Sequence, residues 1–95
     1  MTFGEQLRFM FTTLHGGTVN LTLHIASLPI IVIGLVQRRV VVIALGALLE
    51  VAGHAYNYVV RFNDEQRSKA WRVFPLQAVL SLVVFASLLK LFQWF

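Results

Sequence analysis

The sequence predicts an all-α membrane protein: an N-terminal interfacial amphipathic helix followed by three transmembrane helices. Three observations carry this. The apolar runs 19–36, 40–60 and 74–95 each reach the roughly 18 residues that cross a hydrocarbon core about 30 Å thick. Of 95 residues, 58% are hydrophobic and only 13% charged, too little charge to cover the proportionally large surface of a small soluble domain. The basic residues stand beside the apolar runs, where anionic headgroups attract them. The length suits a single membrane domain, and no internal repeat or low-complexity tract divides it.

In the first element, 3–14, Phe3, Leu7, Met10, Phe11 and Leu14 recur at helical spacing, with Glu5, Gln6, Arg8, Thr12 and Thr13 between them. Such a stripe is too polar to span and suits the membrane surface. It lacks the basic start, apolar centre and small-residue cleavage site of an export signal, so it is expected to belong to the mature fold. Gly16-Gly17 then breaks the helix. The first span, 19–36, contains Asn20, His24 and Pro29, which predicts a polar entrance and a kink. Gln37-Arg38-Arg39 leaves almost no loop before the second span, 40–60, so the two form an antiparallel hairpin. A polar loop follows at 61–73, with Asp64 expected to cap a short surface turn carrying Trp71. Pro75 is expected in the first turn of the third span, 74–95, whose Lys90 snorkels to the far interface beside Trp94.

Two spans separate the N-terminal segment from the 61–73 loop, so both lie on one side of the membrane. That side carries Arg8, Arg61, Arg67, Lys69 and Arg72, against Arg38, Arg39 and Lys90 opposite. By the positive-inside rule the N-terminus is cytoplasmic. No basic stripe with interleaved aromatics stands clear of the apolar runs, so the partners are membrane lipids and not nucleic acid. Without cysteine there is no disulfide framework and no thiolate nucleophile.

Ionisable groups inside spans are costly and point to function by default. His24 lies about six residues inside the first span and His54 about six from the end of the second, each roughly 9 Å deep at 1.5 Å per residue. His15 precedes Gly16-Gly17 on the same side and can fold back over them. All three histidines of the chain therefore converge on one level of one leaflet. Asn20 shares a face with His24, and Glu50, His54 and Asn57 share a face of the second span, with Tyr58 adjacent. Imidazoles, a carboxylate and an amide gathered inside lipid make a ligand set for a divalent transition metal, and two histidines with one carboxylate are the usual facial ligands of non-haem iron. Taken singly, each residue has a plainer reading. A lone buried histidine is more often a packing residue, Asn20 a helix-packing group, Glu50 the partner of an arginine, and Tyr56 and Tyr58 interfacial aromatics.

The run His15-Gly-Gly-Thr-Val-Asn20-Leu-Thr-Leu-His24, of the form H-x4-N-x3-H, and the dipeptide Gly53-His54 at the close of a later span resemble the family of 2-hydroxy fatty acid dioxygenases and its short bacterial relatives. The similarity covers roughly residues 8–60, with a weaker trace at Phe74-Pro75-Leu76. It implies an iron-dependent oxygenase in a bacterial inner membrane, with Fe(II) held by His15, His24 and His54, and with Asn20 a ligand or ligand-supporting residue. The chain departs from the family pattern where Thr18-Val19 stands in place of a proline before the asparagine, where Tyr58 replaces a glutamate, and where an Arg-Pro soon after is missing. Glu50 is the expected substitute carboxylate. The expected substrate is a 2-hydroxy fatty acid bound through open metal positions, its carboxylate held first by Arg61 or Arg72 and its acyl chain running between the helices. Other readings are a haem or pigment carrier with His24 and His54 as axial ligands, and a noncatalytic accessory subunit of a larger membrane assembly or homo-oligomer.

Overall fold

A computed structural model describes all 95 residues, and it is wholly helical, with no strand. Helix α1 spans Phe3–Phe9 and winds on as a π-helical stretch, Met10–Leu14. Helix α2 covers Thr18–Gln37. Helix α3 covers Val40–Tyr56 and likewise loosens into a π-helical stretch, Asn57–Arg61. Helix α4 runs Asp64–Leu91. Three of these are long and apolar enough to cross a membrane: Thr18–Gln37, Val40–Arg61 and Asp64–Leu91.

The tightest packing is between α2 and α3, the hairpin joined at Arg38-Arg39. Small residues set the distance. Gly34 lies against Ile43, Gly46 against Ile31 and Gly53 against Asn20, so the two backbones approach as membrane helices do when small residues line the seam. The turn between them uses Arg38 in the left-handed region (φ 56°), with the Arg39 amide donating to the Gly34 carbonyl at 2.9 Å. This is a Schellman closure without the usual glycine. A second one ends α4, where Gln93 is left-handed (φ 61°) and the Trp94 amide donates to Leu89. The two closures meet. Arg38 donates to the Gln93 carbonyl at 2.8 Å and Trp94 Nε1 to the Leu35 carbonyl at 3.1 Å, which ties the far end of α4 to the hairpin turn.

The third span differs from the sequence expectation at both ends. Residues 61–73 are not a polar loop. Only Phe62 and Asn63 lie outside the helices, and α4 begins at Asp64, ten residues before the apolar run. The cap is Asn63 and not Asp64. Its side chain accepts from the Gln66 amide at 2.8 Å while the Gln66 side chain accepts from the Asn63 amide at 3.0 Å, a capping box worth about 1 kcal/mol. Ion pairs Arg67–Asp64 and Lys69–Glu65, three and four residues apart, support the polar first turns. Pro75 consequently falls inside the helix and not in its first turn. At the other end the helix stops at Leu91, and the last four residues turn back toward α2.

The N-terminal segment is helical over the expected range, but its inward side is different. Phe9 and Met10 are buried, with the Phe9 ring 6.4 Å from Phe62, while Phe3 and Phe11 remain exposed. Phe9 and Met10 turn inward together, and the π-helical winding begins at Met10. Exposed leucines and valines dominate the outer faces of α2, α3 and α4, as expected of helices whose solvent is hydrocarbon.

Candidate metal centre

Helices α2 and α3 carry the same polar period in opposite directions. Asn20, His24 and Ser27 lie at i, i+4 and i+7 of α2; Glu50, His54 and Asn57 lie at i, i+4 and i+7 of α3. The antiparallel pairing joins them rung by rung. Deepest, the Ser27 hydroxyl donates to Glu50 Oε1 at 2.9 Å. One turn nearer the surface, the His24 and His54 rings meet with centroids 4.8 Å apart at 89°. At the outermost rung, Asn20 and Asn57 both donate through Nδ2 to the Leu14 carbonyl, at 3.3 and 3.2 Å.

His15 enters this ladder from the strap that joins α1 to α2. Its ring stands 4.9 Å from that of His54 and 5.6 Å from that of His24, edge to face in both cases. One nitrogen from each of the three rings lies within 4.8 Å of the others, so the three can hold a metal ion. Bonds of about 2.0–2.1 Å to one ion place such nitrogens roughly 3–3.5 Å apart, so the rings would have to turn slightly inward to hold one. The strap reverses at Gly17, whose φ of +90° suits glycine alone, and any side chain there would run into Arg61 and Asn57.

Hydrogen bonding prepares the rings as ligands. His15 Nδ1 lies 2.6 Å from the Met10 carbonyl and His24 Nδ1 2.9 Å from the Asn20 carbonyl. A carbonyl only accepts, so each Nδ1 carries the hydrogen and each Nε2 keeps a free lone pair. This is the pattern in which a metal-bound imidazole anchors its second nitrogen on a backbone oxygen. His54 Nδ1 is buried with no partner at all. The amide oxygens of Asn20 and Asn57 are also buried without a partner, close to Gly53 and Gly17 respectively. Of the three buried polar atoms without a partner, the His54 nitrogen is the one that belongs to the triad.

Beside the triad opens an apolar cavity of about 430 Å³ between α3 and α4. His54 lies on its wall together with Tyr58, Phe62, Trp71, Phe74 and Gln77. Trp71 Nε1 donates to the Tyr58 hydroxyl at 2.7 Å across it, with the rings edge to face.

The other expected site residues fall as follows. Asn20 faces Gly53 and braces Leu14. Glu50 is outside the three-histidine group and engages Ser27. Tyr58 contacts Trp71 on the cavity wall. Arg61 lies over the strap and donates to the Thr13 carbonyl at 3.0 Å, whereas Arg72 is exposed on α4. An axial-haem arrangement needs a flat macrocycle between His24 and His54. Edge-to-face rings 4.8 Å apart, on helices packed glycine against side chain, leave no such slot. Ser27 was not anticipated, although it continues the Asn20–His24 period by one more rung. Neither was the strap-holding role of Asn57 and Arg61, which depends on a chain reversal that spacing alone does not specify.

Comparison with family models, curated proteins and solved structures finds no match.

Proposed function

We propose that this chain is a membrane-embedded, iron-dependent oxygenase acting on 2-hydroxy fatty acids. The observation that supports this reading is a three-histidine group one of whose members, His54, also lies on the wall of an apolar cavity. Three protein ligands with open positions are the mark of a catalytic and not a structural metal site. Imidazoles suit iron among the transition metals, and the H-x4-N-x3-H resemblance favours iron over zinc or copper. Bound iron supplies activation of O2 and polarisation of the hydroxy acid. The chain's residues do the rest. His15, His24 and His54 hold the ion with neutral donors, so its positive charge stays available to a carboxylate. The Tyr58–Trp71 hydrogen bond pairs the polar atoms on the cavity wall, leaving an apolar lining for an acyl chain. Arg72, exposed on the same membrane face, gives an approaching carboxylate its first electrostatic hold, whereas Arg61 is engaged with Thr13.

The overall change balances without a reductant. A 2-hydroxy fatty acid and one O2 give a fatty acid one carbon shorter, CO2 and water. In this reading α1 lies in the cytoplasmic interface of a bacterial inner membrane. The test is oxygen uptake by the purified protein, loaded anaerobically with Fe(II) and supplied with 2-hydroxy fatty acids of graded length. Uptake matched by the shortened acid and abolished in His24→Ala supports the reading. Absence of uptake with every chain length, from a protein shown to hold iron, rejects the oxygenase and leaves a metal site of another purpose.

A further inference from the structure

Two of the three histidines sit on the rigid α2–α3 hairpin, and the third does not. His15 belongs to the strap Leu14–Gly17, which follows a π-helical stretch and reverses at a left-handed glycine. The His15 ring is anchored locally, its Nδ1 on the Met10 carbonyl at 2.6 Å, but that bond does not set where the strap lies over His24 and His54. The hairpin does so instead. Asn57 donates to the Leu14 carbonyl at 3.2 Å and to the Gly16 carbonyl at 2.8 Å, thus to the residues on either side of His15. Arg61 donates to Thr13 at 3.0 Å, and Asn20 adds a longer bond to Leu14. Asn57 and Arg61 both lie in the π-helical end of α3, four residues apart, and reach the strap side by side. Asn57 is 0% exposed, and an amide buried in a span is retained at a cost unless it is satisfied. Both its N–H groups are committed to the strap.

We infer that Asn57 is a positioning residue for His15. By clamping the carbonyls of Leu14 and Gly16, it delivers the third imidazole, and without it the centre becomes a two-histidine site. Arg61 serves the same end from one turn further along. This inference rests on the metal-site reading above and gives it a built-in order of assembly: the hairpin supplies two ligands, and the strap closes with the third.

The test uses the full chain in detergent, cupric ion as probe, and two readouts: affinity, and the number of imidazole nitrogens counted from hyperfine structure in the electron paramagnetic resonance spectrum. Asn57→Leu keeps the side chain's bulk and removes both donors. It is expected to lower affinity by about 10-fold or more, as loss of a ligand-orienting group does. Its spectrum should fall from three nitrogens to two and match that of His15→Ala. In the double variant the losses should not add, because Asn57 acts only through His15. Arg61→Gln, which leaves the buried amide intact, should move the same way and serves if Asn57→Leu does not fold. Wild-type affinity with three nitrogens in a folded variant, or a double variant weaker by the product of the single effects, overturns the assignment and leaves Asn57 a packing residue. A wild-type protein that binds no cupric ion overturns the metal site itself, a different result from the former two.

Discussion

The His24 and His54 rings meet edge to face, 4.8 Å apart, across the closest-packed helix pair of the molecule. Both rings are half-buried on facing helices, and the third ring reaches them on a strap. The seam beneath the two rings sets their spacing, and it is the first place to perturb the centre.

Gly53 is where the seam is tightest beside the triad. A methyl group added there meets the Asn20 side-chain oxygen. Gly53→Ala should cost about 1–3 kcal/mol, the usual range for overpacking a close contact. Unfolding in a detergent titration measures it. An unchanged midpoint would mean the helices pack more loosely than this.

Glu50 engages Ser27 one rung below the histidines, and a glutamine can keep that hydrogen bond. Glu50→Gln should therefore fold and hold metal with a loss well under the 10–100-fold typical of a ligand-supporting residue. Metal titration decides this. A loss as large as that of His54→Ala would make Glu50 a ligand, and the rings would have to rearrange to admit it.

If the cavity beside His54 receives the acyl chain, filling it should separate substrate binding from metal binding. Ala55 lies on its wall, away from the ladder. Ala55→Phe should fill part of the roughly 430 Å³ and abolish oxygen uptake with long 2-hydroxy acids while leaving metal content unchanged. Undiminished uptake in that variant would place the acyl chain elsewhere.

The polar ladder was legible in the sequence because helix geometry is fixed. A 1.5 Å rise and a tight Arg38-Arg39 connection bring His24 and His54 to one depth whatever the packing details. The i, i+4, i+7 period on α3 was equally plain. On α2 the same period ends in Ser27, a residue ordinary enough in a membrane span to pass for packing. In the 61–73 segment polar composition suggests a loop, but Asn63-x-x-Gln66 carries a capping signature and no glycine or proline intervenes before Pro75, so the helix starts at Asp64. The burial of Phe9 was not legible, because its partner Phe62 lies far along the chain and only the fold brings the two rings together.

Orientation rests on five basic residues against three, and the chain's lack of cysteine makes it directly measurable. Single cysteines at Thr2 and Asn63 should be shielded from a membrane-impermeant reagent in intact cells and labelled after permeabilisation. Labelling of both in intact cells reverses the topology.

Metal content of the folded protein addresses the central claim most directly. The wild-type chain, purified from cells grown with added iron or reconstituted with Fe(II) without oxygen, should carry about one transition-metal ion per polypeptide, the stoichiometry of a three-ligand site. His15→Ala, His24→Ala and His54→Ala should each lower occupancy about 10-fold or more with helix content unchanged. A folded wild-type protein that takes up no transition metal, or three histidine variants that hold it as well as the wild type, would contradict the claim.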